Sequence, residues 1–217
     1  MGVLREHVEP SVAEEIVHAA THGLGAVLSV AALAVLVAGA AVQGTATAIV
    51  AASVFGASLV LVYVSSTIYH AVPATMRRAK AVLQVCDHAA IHLLIAGTGT
   101  PIALCAIGGA WGWFLFGAAW SLAAIGLVVE TTTLRHDARL SVGLYVGSGW
   151  LGVLAIPLLW STAPVVLVLL ALGGVAYTAG VPFFLAARRR WMHALWHGFV
   201  LAGSALHVAA IAAVVLP

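Results

Sequence analysis

His193 and His197 stand four residues apart, with only Ala194, Leu195 and Trp196 between them. On a helix, side chains at i and i+4 share a face. Two imidazoles at that interval can hold one metal ion, as in H-E-x-x-H sites, although the acid of that motif is absent here. Ser66 and His70 repeat the interval, and Asp87 opens a later apolar stretch. A catalytic zinc takes three protein ligands and keeps a fourth position for water. His70, His193 and His197 would supply three nitrogens, Asp87 would accept a hydrogen bond from that water, and Ser66 would orient it. Three neutral imidazoles leave the ion its full +2 charge, which lowers the water pKa to about 7.

The same interval also offers rivals. His88 and His92 are four apart, and so are His18 and His22. Histidines at a membrane interface also serve as snorkelling or packing residues. Spacing alone therefore leaves the ligand set open among these pairs. Glu130 is the fallback for Asp87 as a base, and Asp87 is read as the one carboxylate inside the bundle at that depth. Glu15 is read as solvated near the loops, His7 and His136 as loop residues, and Cys86 as a small apolar side chain.

What must position these groups is a membrane bundle. The chain has 217 residues, of which 63% are hydrophobic and 7% charged, with a mean hydropathy of +1.12. Soluble domains carry about 25% charged residues, so the solvent here is lipid. A span needs roughly 20 apolar residues. Seven such stretches run from Ile16 to Val42, Thr45 to Ala71, Val82 to Ile107, Trp111 to Thr132, Leu140 to Trp160, Pro164 to Ala187 and Trp191 to Leu216. Residues 1–15 read as a short polar tail without the apolar run of a signal peptide. Pro101, Pro157 and Pro182 lie inside spans and predict kinks. Gly143 and Gly147, at GxxxG spacing, predict close helix packing. The expected organisation is a single seven-helix membrane domain over 1–217. Cys86 and Cys105 are nineteen residues apart on one predicted helix. That is roughly 28 Å along its axis, too far for an intrachain disulfide.

The nine Lys and Arg residues fall on alternate connections. Arg5 is in the tail. Arg77, Arg78 and Lys80 lie between spans 2 and 3, Arg135 and Arg139 between spans 4 and 5, and Arg188, Arg189 and Arg190 between spans 6 and 7. The positive-inside rule puts the N-terminus in the cytoplasm and the C-terminus outside, and only an odd number of spans fits. The net charge of +2 is thereby accounted for without nucleic acid. The histidines and acids gather at the same face: His18 and His22, His70, Asp87, His88 and His92, Glu130, and His193 and His197. Only His207 lies clearly deeper. Ionisable groups in spans are costly and mark function. Trp111, Trp113 and Trp191 sit at span ends as interfacial anchors.

Four segments carry a family resemblance: EEIVHAATHGLG from Glu14, STIYH from Ser66, DHAAIHLLIAGTGTP from Asp87 and HALWHGFVLAGSALH from His193. With these, the chain resembles the bacterial hemolysin III family, within the progestin and adiponectin receptor superfamily, from the first span to the last. The resemblance implies a seven-helix fold with a cytoplasmic N-terminus in the bacterial plasma membrane. It also implies zinc held by His70, His193 and His197 with Asp87 and Ser66 beside it, which demotes the His88/His92 pair. The superfamily is similar to alkaline ceramidases, which hydrolyse a lipid amide. Three positions depart from the pattern: His18 stands where the family usually has Asn, and His92 and Gly99 where relatives often have an aromatic residue.

Three functions follow as expectations. The first is a zinc-dependent hydrolase acting on a membrane lipid amide or ester. The second is a non-enzymatic receptor or regulator of membrane homeostasis with structural zinc. The third is a pore or ion transporter, which would place polar groups through the midplane, where only His207 lies deep enough to serve.

Overall fold

The computed structural model describes residues 10–216, so the tail residues Arg5 and His7 lie outside the described residues. Over the described residues the chain forms an all-α membrane protein with seven long apolar helical spans. In chain order the helices are α1 (Val12–Gln43), α2 (Ala46–Ala71), α3 (Arg77–Pro101), α4 (Gly109–Thr131), α5 (Ala138–Gly149), α6 (Ile156–Thr162), α7 (Pro164–Leu185) and α8 (Met192–Val215). The fifth span is α5 and α6 joined through a 3-10 segment, Trp150–Ala155.

Each break has a local cause. Pro101 lacks a backbone N–H, and the six residues that follow, Ile102–Ile107, wind as a wider π-helical turn. Gly108 and Gly109 then both take positive φ, 66° and 58°, which lets the chain reverse into α4 where the hydropathy shows scarcely any gap. Pro157 sits in the first turn of α6, so the predicted kink of the fifth span is a loss of α-helix over Trp150–Ala155. The pair Gly143 and Gly147 faces open space, contrary to the close packing expected of it.

Two helices, α1 and α3, begin four and five residues earlier than hydropathy predicts. α1 starts at Val12 because Ser11 and Glu14 form a capping box, with Glu14 N–H donating to Ser11 Oγ at 3.3 Å and Ser11 N–H to Glu14 Oε2 at 3.1 Å. α3 starts at Arg77, so Arg77, Arg78 and Lys80 lie on its first turns rather than in a loop.

α1 packs on α2 and α8, α2 on α3, α3 on α4, and α7 on α8. The interior holds Leu36, Phe55, Leu59, Tyr63, Ile211 and Val215 at no more than 4% exposure. Val27, Val30, Val35, Val50, Val168 and Leu172 are exposed. In a lipid solvent that is the arrangement with no hydrophobic penalty. Tyr63 ties α2 to α8 by donating to Ser204 Oγ at 2.8 Å, and the Tyr177 hydroxyl of α7 meets the same oxygen at 2.8 Å.

Candidate metal centre

The first turn of α1 sets the register of α8. Glu14 Oε1 accepts a hydrogen bond at 2.8 Å from the backbone N–H of Trp191, the residue just before α8. Trp191 has φ 65°, a left-handed conformation unusual for a residue with a side chain. That contact brings the first two turns of α8, with His193 and His197, against His18 and His22 of α1.

His70, at the end of α2, completes the group. The metal-ligating atoms of His70, His193 and His197 all lie within 4.8 Å of one another, so this cluster could hold a metal ion. The Nε2 atoms of His70 and His193 are 3.3 Å apart. Two nitrogens bound tetrahedrally to one zinc at 2.0–2.1 Å are separated by about 3.3–3.4 Å, so this spacing suits a shared ion. Two of the other ring nitrogens are tied back, while His193 Nδ1 has no hydrogen-bond partner among the described residues. His70 Nδ1 is 2.6 Å from Glu15 Oε2 and donates to it. His197 Nδ1 is 3.1 Å from Thr21 Oγ1, whose own proton goes to the carbonyls of Val17 and His18. Both contacts assign the proton to Nδ1 and leave Nε2 as the lone-pair donor. Metal-ligating histidines are usually oriented this way, and the partners raise their basicity.

Glu15 is therefore not the solvated residue the sequence suggested. It bridges His70 and the Lys80 ammonium group, which also donates to the Val72 carbonyl at 3.1 Å. Glu15, His18 and His70 form a second overlapping group with ligand-type atoms within 4.8 Å. His18 is buried, and neither of its ring nitrogens has a hydrogen-bond partner among the described residues. Its ring centroid is 4.9 Å from those of His70 and His193 and 5.3 Å from that of His197. The remaining three separations are 5.1, 5.1 and 4.6 Å, so the four rings stand at the corners of a nearly regular tetrahedron. His22 stacks on His197 with centroids 3.5 Å apart and planes 12° apart.

Ser66 and Asp87 are both buried and line one small pocket with His22, His193 and His197. This pocket, of about 50 Å³, shares Ile91, Leu94, Tyr177, Phe184 and Trp196 with a second cavity of about 220 Å³. The larger cavity runs between α3 and α7 and is lined almost wholly by apolar groups, Trp150 among them.

Of the rival pair on α3, His88 also lines the small pocket, and both rings approach Glu130. His88 Nδ1 and His92 Nε2 approach Glu130 at 3.6 and 4.0 Å. Asp87 is thus not the single carboxylate in the bundle, since Glu130 is fully buried at 0% exposure. His207 lies deeper, beside Tyr177, with Nε2 3.3 Å from the Leu170 carbonyl. Sequence reasoning missed the roles of Glu15, Thr21 and Glu14. The signals available were the S-x-x-E cap, and the spacing of Glu15 and Thr21 three residues on either side of His18.

Comparisons with known proteins agree with this architecture. The family model described as "Haemolysin-III related" matches residues 11–208. A protein named "Hemolysin-3 homolog" from Bacillus subtilis (strain 168) is 41% identical over 196 residues, covering 90% of this chain and 91% of that protein. "Hemolysin-3" from Bacillus cereus is 40% identical over 207 residues, covering 95% of this chain and 94% of that one.

Proposed function

The chain belongs to the haemolysin-III-related family, and from that premise we propose that it is a zinc-dependent hydrolase of a membrane lipid amide or ester. It works as a multi-pass protein of the bacterial plasma membrane with its N-terminus in the cytoplasm. His70, His193 and His197 hold the ion. One observation carries the reading: the pocket of Asp87, Ser66, His193 and His197 shares a wall with the large apolar cavity. A substrate with a hydrocarbon tail and a carbonyl head fits both at once.

When bound, zinc supplies Lewis acidity, polarising the carbonyl and lowering the pKa of water. The protein's own groups do the rest. Asp87 takes the proton of the attacking water and returns it to the leaving amine or alcohol. Ser66 donates its hydroxyl proton to the oxygen on which negative charge develops. Glu15 holds His70 and Thr21 holds His197, so that two Nε2 atoms face the ion before substrate arrives. Tyr177, Phe184 and Trp196 line the passage to the apolar cavity and exclude bulk water from the carbonyl.

A specific feature favours a second reading. The His18 ring packs against all three ligand rings, where it would crowd the position that a hydrolytic water uses. A site closed by four protein ligands is structural, and the protein would then be a non-enzymatic receptor or regulator of membrane state. The experiment is turnover by purified, zinc-loaded protein on a panel of lipid amides and esters, followed by fatty-acid release. Turnover that disappears on chelation is the expected result. No turnover on any member of the panel, with zinc verified at the site, refutes the hydrolase and leaves the regulator.

A further inference from the structure

One imidazole interrupts the apolar lining of the large cavity: His207 of α8. It takes no part in the chemistry at the three histidines. Gly173 of α7 admits the ring, since a Cβ there would overlap its Cδ2 and Nε2 atoms. Nε2 lies 3.3 Å from the Leu170 carbonyl. A carbonyl oxygen only accepts, so Nε2 carries the proton. In the neutral ring Nδ1 then holds a lone pair, and it has no hydrogen-bond partner among the described residues. Among the described residues no acid lines the cavity, so nothing there would stabilise an imidazolium in lipid. Nδ1 sits on the edge opposite the one that meets Gly173, and the ring is part of the cavity wall. An acceptor left open in an apolar chamber is costly until a donor reaches it.

The other polar groups of the wall are already engaged. The hydroxyls of Thr98, Ser148 and Thr178 donate to carbonyls of their own helices. Tyr145 donates to Glu130, and the Tyr177 hydroxyl is tied to that of Ser204. What the wall still calls for is a donor on the occupant, opposite His207. His207 follows His197 by ten residues on α8, a rise of about 15 Å along the axis. An extended chain advances about 1.2 Å per bond, as the extended backbone does over its three bonds per residue. The donor therefore belongs about twelve bonds from a carbonyl held at the histidine centre. We propose that the cavity selects a lipid whose hydrocarbon chain carries a hydroxyl group far from its head, and that His207 recognises it, with Nδ1 accepting the hydroxyl proton. This rests on the reading that the cavity takes the substrate's tail. A plain chain would fill the same space but leave Nδ1 unpaired, and a site built to hydrogen-bond a group discriminates against the analogue that lacks it.

The test is retention of fatty acids by the full-length, zinc-loaded protein in detergent. Stearic and 12-hydroxystearic acid are supplied in equal amounts, the protein is re-isolated, and the bound acids are counted by mass spectrometry. Free acids have no bond to hydrolyse, so binding is read apart from turnover. The wild type should retain the hydroxy acid in an excess of about two- to tenfold, the effect of one neutral hydrogen bond. His207→Leu should lose that excess, and running both proteins in one micelle mixture cancels partitioning of the acids. A second control needs no variant: 3-hydroxystearic acid, with its hydroxyl near the head, should show no excess over stearic acid. Equal retention of stearic and 12-hydroxystearic acid by the wild type, or retention of neither, overturns the proposal. So does an excess that persists in folded His207→Leu, or the same excess for the 3-hydroxy acid. Turnover of plain lipid amides without a hydroxyl preference sinks the role of His207 alone. A hydroxyl preference without turnover on any lipid amide or ester sinks the hydrolase alone.

Discussion

Removing the ion from the three-histidine centre should lower the melting temperature by an amount set by the free ion concentration relative to Kd. His70 ends α2, and His193 and His197 begin α8, a sequence separation of 123 residues between His70 and His193. The other polar link between these helices is deeper, from the Tyr63 hydroxyl to Ser204 Oγ and the Val200 carbonyl. An ion therefore crosslinks two helix ends that have no other polar tie at that depth, and the unfolded chain does not bring these nitrogens together. A ligand bound only to the folded state stabilises it by about 2.7 kcal/mol at a free concentration one hundred times Kd, and about 4.1 kcal/mol at one thousand times. For a chain of this length, each kcal/mol moves the midpoint by about 2–4 °C. The product is a rise of about 5–16 °C. The assay is thermal unfolding in detergent followed by tryptophan fluorescence, with free zinc set by a chelator buffer. His197→Ala should abolish the zinc-dependent rise. An unchanged midpoint between verified apo and zinc-loaded protein refutes the crosslink. A full rise in His197→Ala refutes the ligand set.

Three other outcomes follow from the same geometry. Asp87→Asn keeps size and hydrogen bonding but removes the basic oxygen, so it should retain zinc and lose hydrolysis by about two orders of magnitude or more. Ser66→Ala should cost less, and paired metal and fatty-acid assays on each variant check both. Glu15→Gln removes the charge that accepts the His70 Nδ1–H, so zinc affinity should fall about 10–100-fold. Competition with a chromogenic chelator measures it, and unchanged affinity would show that Glu15 serves Lys80 alone. Reporter fusions should place the Pro73–Lys80 connection in the cytoplasm and the C-terminus outside, whereas a cytoplasmic C-terminus would overturn the charge argument.

The sequence revealed depth better than direction. Hydropathy and the alternation of Arg and Lys were enough to count seven spans, because lipid imposes one length and one composition on every crossing. They marked the membrane boundary rather than the helix boundary. α1 and α3 therefore start several residues early, one on the Ser11–Glu14 cap and the other on the basic turns of Arg77 to Lys80. The i and i+4 pairs could be read directly, since one helix fixes both members. What a helix does not reveal alone is its rotation about its own axis against its neighbours. Asp87 and His88 make the point. They are adjacent in the chain and about 100° apart around α3. Asp87 lines the pocket beside Ser66, while His88 also turns its Nδ1 toward Glu130. The sequence offered His18 and His92 only as members of rival pairs and as departures from the family pattern, and both prove to be buried imidazoles whose ring nitrogens have no hydrogen-bond partner among the described residues. Their positions depend on two close approaches, Glu14 on the Trp191 backbone and Gly126 against the His92 ring, which join segments far apart in the chain or on different helices. Lining the bundle with imidazoles costs little in sequence terms but much in desolvation.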